Sequence, residues 1–199
     1  VPSQFPSFTI RQANPRDVGY VSEILTESFY RSVDRQVHFL HRCFVDMVYP
    51  LLRYGIMLDL SSRFGEKTPC YACLVATHPA NKSLPIATLE ICMRYVPTKG
   101  HQNFWLGREM QQHPYIFNLA VHPHWRRRGV AKQLLLAAEG TVKQWGYSQL
   151  YMHVLEDNQT ARNLYDRVGY QMYDREGNLN YWLLRKPRRF LLQKKLRSI

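Results

Sequence analysis

Residues 114–146, "PYIFNLAVHPHWRRRGVAKQLLLAAEGTVKQWG", limit the fold of this chain more than any other stretch. "PYIFNLAVHP" (114–123) reads as a strand. Val130, Leu134, Leu135, Ala138 and Val142 then recur at the spacing of a buried helix face, and Gly146 stands just past the end. Between strand and helix lies a short turn in which Arg126, Arg127 and Arg128 are stacked against Gly129. Successive main-chain N–H groups in such a turn, with the N-terminus of the helix behind them, make a concave anion site. Gly129 has no Cβ, so a ligand can come close to the backbone there. One turn grips one anion, which suits a pyrophosphate better than the groove of a duplex.

The flanking chain reads as one α/β domain over residues 1–199. "FTIRQA" (8–13) alternates as a first strand, and Asn14 before Pro15 is an N-cap followed by proline at the first helical position. Val18, Val21, Ile24, Leu25 and Phe29 make that helix amphipathic. A second helix is expected over about 35–54, with Val37, Leu40, Phe44, Met47 and Leu51 on one side. "CYACLVATHP" is strand-like. Residues 83–96 alternate, with Ala87, Leu89, Ile91 and Met93 on one face and Thr88, Glu90, Cys92 and Arg94 on a polar one. Residues 55–69 and 97–113 read as loops that shape a pocket. "SQLYMHVL" is a further strand, "NQTARNLYDRV" a short helix, and "YQMYDREGNLNYWLLR" a hairpin turning at Glu176–Gly177–Asn178. The order βαα–ββ–βα–βα–ββ predicts a mixed sheet.

Composition narrows the function. No apolar run approaches the ~18–20 residues of a membrane span, and "VPSQFPSFTI" lacks the charged start and apolar core of a secretory signal. Cys70 and Cys73 form one CxxC with no second pair, so these two, Cys43 and Cys92 are expected to be reduced thiols. His122 and His124 have no companions at metal spacing, and no metal is expected. The net charge is +12, and Arg185, Lys186, Arg188, Arg189, Lys194, Lys195 and Arg197 crowd into the last stretch. That tail is expected either to meet an acidic partner, an anionic surface or a charged cofactor, or to be a solvated helical end with Phe190, Leu191 and Leu192 turned inward.

"RRRGVAKQLL" after "YIFNLAVHP", followed by "VLEDNQTARNLYDRVGY", resembles the acetyl-CoA site of the GCN5-related N-acetyltransferase (GNAT) superfamily. Arg126, Gly129 and Ala131 match its Arg/Gln-x-x-Gly-x-Gly/Ala turn. Asn158, Ala161, Leu164, Tyr165, Gly169 and Tyr170 match its second motif. The resemblance implies a single acyl-CoA N-acyltransferase domain, with a mixed, mostly antiparallel sheet flanked by helices. Its acetyl-CoA-binding core would span about 84–184, with a basic tail over 185–199. "LYMHV" and the basic tail further resemble the plastid and cyanobacterial branch associated with acetylation of protein lysines and N-termini. That implies a cyanobacterial cytosol or a chloroplast stroma. The strand–turn–helix core also resembles bacterial enzymes that acetylate ribosomal protein N-termini.

On this resemblance the fourth strand carries a bulge whose amide faces the thioester, and Leu119, Ala120 and Val121 pair with the pantetheine arm. Arg126, Arg127, Arg128, Gly129, Val130, Ala131 and Lys132 surround the pyrophosphate. Asn158, Gln159, Thr160 and Ala161 flank the thiol, although Asn158 equally suits a plain N-cap. Tyr165 is the candidate general acid, or else a core aromatic at helical spacing. His153 lies where related N-terminal acetyltransferases carry a carboxylate and is a candidate base, or a structural histidine. Glu90 is the second candidate base; Asn118, an amide, cannot take a proton. The implied acceptor is a protein or peptide amine. A small amine such as a polyamine is the alternative, disfavoured by repulsion from so basic a surface. A nucleic-acid-binding protein leaves the Asn158–Tyr165 helix unexplained, and an acyl-CoA sensor leaves Tyr165 without a task. Oligomeric state and acyl-chain preference are not legible.

Overall fold

A computed structural model describes residues 8–31, 39–65, 68–98, 109–176 and 188–196. Among the described residues seven strands, β1 (Thr9–Gln12), β2 (Ala72–His78), β3 (Asn81–Pro97), β4 (Met110–Val121), β5 (Gln149–Leu155), β6 (Gln171–Glu176) and β7 (Arg189–Lys195), form one sheet in the order β1-β2-β3-β4-β5-β7-β6. β4 and β5 are parallel, whereas β1/β2, β5/β7 and β6/β7 are antiparallel, so the sheet is mixed as the element order predicts. The helices are α1 (Val18–Thr26), α2 (Phe39–Gly65), α3 (Val130–Gln144) and α4 (Gln159–Val168). The fold divides into two compact units, Val1–Glu90 with Asn118–Ala137 and Ile91–Phe117 with Ala138–Ile199.

In the first unit the expected cap at Asn14 is present. Its side chain accepts from Arg16 N at 3.0 Å, and Asp17 Oδ2 accepts from Asn14 N at 2.8 Å, a reciprocal capping box around the turn Pro15–Asp17. Val18, Val21, Ile24 and Leu25 of α1 are buried against Leu60, Cys73, Val75 and Ala120. Phe29, expected on the same face, is half-exposed. The chain changes to a π turn over Glu27–Arg31, and its wider winding carries position 29 off the apolar stripe. α2 runs to Gly65 rather than stopping near 54, so the stretch read as a loop from 55 onward is helix up to that point. Leu51 is 72% exposed, and the buried face is Leu60 with Ile56, Met57 and Phe64 beside it. Residues 56, 60 and 64 repeat every four positions, and this restores the helical period beyond Pro50 and Gly55. Val37 lies outside the described residues.

The second unit contains β5, β7 and β6. Residues 189–195, expected either to meet an acidic partner, an anionic surface or a charged cofactor or to be a solvated helical end, are a strand paired from Gln149↔Lys195 to Leu155↔Arg189 with β5 and from Gln171↔Gln193 to Glu176↔Arg189 with β6. Phe190, Leu191 and Leu192 are buried, as expected, but in consecutive positions of a strand covered on both faces. The basic charge is partly neutralised: Lys194 Nζ lies 2.6 Å from Glu139 Oε1. The turn expected at residues 176–178 falls mostly outside the described residues. Of the stretch read as a loop over 97–113, Thr98 N donates to Glu109 O at 2.9 Å and β4 starts at Met110, while residues 99–108 lie outside the described residues. Among the described residues no helix is long and apolar enough to cross a membrane, and Cys70 and Cys73 are free thiols.

Candidate active site

In the first unit the strand–turn–helix junction is built on backbone rather than on charge alone. β4 ends at Val121, a 3₁₀ turn covers Pro123–Trp125, and Arg126 is extended. Arg127 then takes φ +63° and Gly129 φ +79°, with Arg128 between them outside the positive-φ region. This alternation turns successive N–H groups toward one side, the geometry of an anion-binding nest. α3 follows at once, and Gln133 N donates to Gly129 O at 3.1 Å as its first turn closes. The N–H groups of Val130, Ala131 and Lys132 therefore stand at the positive end of a 15-residue helix.

The arginines divide the work. Arg126 Nε donates to Val121 O at 3.1 Å and its Nη2 reaches Ser28 Oγ at 3.5 Å, so it ties the turn back to the end of β4. Arg128 lies over the Trp125 ring at 5.0 Å. Upstream, Leu119 and Val121 are half-buried and Ala120 is buried. Asn118 has φ +51° in the middle of β4. It lies in the strand where the resemblance expects a bulge.

Glu90 does not lie on an open polar face. Thr88 and Glu90 are 0% exposed, because β3 is covered on both sides over Ile86–Ile91. Glu90 Oε1 accepts from Asn118 Nδ2 at 2.7 Å, and Oε2 accepts from Arg63 Nη1 at 2.8 Å and from Tyr71 OH at 2.6 Å. Strand alternation gave the correct side but not what covers it. Arg63, 27 residues away on α2, and Tyr71 carry no motif that would have singled them out.

In the second unit Asn158 is an N-cap: its Oδ1 accepts from Ala161 N at 3.1 Å at the start of α4. Gln159 and Thr160 are exposed in that first turn, and Ala161 is half-buried. Tyr165 sits in the last turn of α4 at 8% exposure, with the Tyr170 ring 6.1 Å away, edge-on. Burial, helped by the nearby Tyr115, pushes the Tyr165 hydroxyl up to about 12. Gly169 closes the helix with φ +92°. His153 on β5 shares a 2.5 Å hydrogen bond between its Nδ1 and Tyr115 OH. Its Nε2 is shielded from solvent. Among the described residues no group of three His, Cys, Asp or Glu is placed to hold a metal.

A comparison with known families matches residues 57–170 to the acetyltransferase (GNAT) family. The chain belongs to this family. Among curated relatives, chloroplastic GCN5-related N-acetyltransferase 10 of Arabidopsis thaliana is 29% identical over 63% of this chain and 49% of its own length. Chloroplastic GCN5-related N-acetyltransferase 4 of the same plant is 26% identical over 85% of this chain and 62% of its own. A [Ribosomal protein bS18]-alanine N-acetyltransferase from Haemophilus ducreyi is 42% identical over 28% of this chain and 38% of its own. The GNAT chain thus spans about half the length of the curated relatives it matches. The fold is that of the PaiA N-acetyltransferase of Thermoplasma acidophilum, solved in complex with coenzyme A, at a TM-score of 0.58 and 18% identity over 95% of this chain and 99% of that one. The Escherichia coli ribosomal-protein-S18-alanine N-acetyltransferase superposes with a TM-score of 0.57 at 13% identity, over 97% of this chain and 96% of that one.

Proposed function

We propose that this GNAT chain is an acetyl-CoA-dependent N-acetyltransferase acting on protein amines, N-terminal or lysine, by direct attack of the amine on the thioester. The net reaction forms one amide N–C bond and breaks one C–S bond, and the amine's proton ends on the released thiol. The observation that carries the reading is the backbone of the junction. Left-handed Arg127 and Gly129 flank Arg128 directly before α3, a backbone able to turn N–H groups toward one anion. In this reading Val130, Ala131 and Lys132 bind the pyrophosphate with them, and Leu119, Ala120 and Val121 pair with the pantetheine arm.

Tyr165 stays protonated throughout the working pH range, because burial raises its hydroxyl to about 12. In this reading it donates to the departing sulfur as the general acid, and the amine's proton restores it. His153, whose Nδ1 shares a hydrogen bond with Tyr115 OH, is the candidate base in this reading. Asn158 holds the start of α4, and Gln159 and Thr160 offer their exposed side chains to the cofactor arm. The charge of +12 favours acceptors in acidic surroundings over polyamines. The chloroplast names of the Arabidopsis relatives favour a plastid stroma or its cyanobacterial counterpart.

The test is incubation with acetyl-CoA and two peptide pools, one with free N-termini and one blocked but lysine-rich, read by mass spectrometry. Acetylation of either pool by the wild type, reduced about 10²–10³-fold in Tyr165→Phe, is expected. Acetyl-CoA binding without modification of either pool overturns the protein-acceptor reading.

A further inference from the structure

Asn118 is a non-glycine residue held left-handed inside a strand, a backbone state that costs energy unless something fixes it. What fixes it is Glu90. The carboxylate can only accept, so the Asn118 amide must present its NH₂ to Oε1 at 2.7 Å. Glu90 is itself immobilised on the opposite oxygen by Arg63 of α2 at 2.8 Å and by Tyr71 OH at 2.6 Å. Burial, together with the adjacent Glu90 charge, raises the Tyr71 hydroxyl far above its ordinary range, so this donor persists at every working pH. Arg63 is braced in turn by Asp59 one helical turn earlier. Three segments distant in sequence thus converge on one strand distortion.

We propose that Glu90 is a positioning residue. Through Asn118 it sets the bulge of β4 so that the main-chain N–H groups just beyond it, at Leu119 and Ala120, are aimed at the thioester oxygen. Arg63 and Tyr71 hold Glu90 in that pose. The proposal rests on the acetyl-transfer reading and revises one part of it: Glu90 takes no proton from the amine. A base needs a free lone pair with a path to substrate. This carboxylate already accepts three hydrogen bonds and has no exposed surface.

The experiment compares Asn118→Ala, Glu90→Gln, their double variant and Tyr71→Phe. Asn118→Ala removes the tether while leaving the carboxylate charged. We expect kcat to fall about 10²-fold, approaching the loss of an oxyanion donor. The KM for acetyl-CoA should change by less than about threefold, since the contact matters in the transition state. Glu90→Gln should lose a similar factor and keep the pH profile of the wild type, and the double variant should be no worse than either single one. Tyr71→Phe, the mildest change, guards against misfolding and should lie in between. A second readout needs no acceptor. The thioester carbonyl of ¹³C-labelled acetyl-CoA should shift on binding wild type and return toward its free value in Asn118→Ala.

Full kcat in Asn118→Ala, or a lost acidic limb of the pH profile in Glu90→Gln, overturns the proposal. So does an unshifted carbonyl in wild type that binds acetyl-CoA, and in that case the cofactor reading survives. Absence of acetyl-CoA binding to wild type removes both. A carbonyl shift without turnover of any peptide pool supports the positioning role and discards the protein acceptor alone.

Discussion

A Cβ built on Gly129 meets no protein atom within 4 Å, yet the residue holds φ +79°. Packing would tolerate alanine there, but the backbone and the approaching anion would not. Gly129→Ala should cost about 1–2 kcal/mol for the left-handed conformation. It should also weaken acetyl-CoA by roughly tenfold or more, as the methyl intrudes on the main-chain contact. Thermal melting and titration calorimetry check the two effects separately, and unchanged affinity would remove the anion role from this turn. At this scale the sequence was informative where a residue type has one strong reason to be present. Gly129, Asn14 and Gly146 were legible because turns and caps are local. Asn118 was dismissed for lacking a proton site, whereas its task is to hold a distorted backbone, which no residue type announces.

β7 shows what an element's neighbours decide. "RFLLQKK" has neither clean alternation nor helical period, and its charge suggested a solvated end. Between β5 and β6 it is an inner strand with Leu191 2% exposed. Truncating that side chain, Leu191→Ala, should destabilise the fold by about 2–5 kcal/mol. The midpoint of thermal unfolding should fall by roughly 5–15 °C. A solvated tail would show almost none of this, and a calorimetric melt distinguishes the two. The far half of α2 was missed for a related reason. Gly55 and the preceding Pro50 signal a break locally, but burial of Leu60 against α1 and β2 outweighs them.

At the scale of the molecule, each unit buries a titratable group that resists ionisation. Burial, with the nearby Glu90 charge, pushes the Cys73 thiol of the first unit up to about 12. Burial and Tyr115 do the same to the Tyr165 hydroxyl of the second. Their ordinary values are 9.0 and 10.0, so between there and about 12 the unfolded chain binds fewer protons than the folded one. The stability these groups add is therefore complete below pH ~9 and falls as pH rises toward 12, by on the order of 4 kcal/mol for Cys73 and 3 kcal/mol for Tyr165 at about 1.4 kcal/mol per unit. Chemical denaturation at stepped pH should show this alkaline loss, and Tyr165→Phe should flatten its upper part. A flat profile to pH 12 would contradict the burial of both groups.

The sequence by itself determined the elements that local rules govern: the capped entry to α1, the strand–turn–α3 junction with its glycine, and the α4 motif ending at Gly169. Their hydrogen bonds close within a few residues, so composition and spacing suffice. Tertiary structure alone decided the rest: the inner place of β7, the full length of α2, the left-handed Asn118 and the closure of Arg63 and Tyr71 on Glu90. Each of these depends on which distant surface covers a segment. A carboxylate on an alternating strand reads as polar until a guanidinium 27 residues away and two further donors make its complete burial possible.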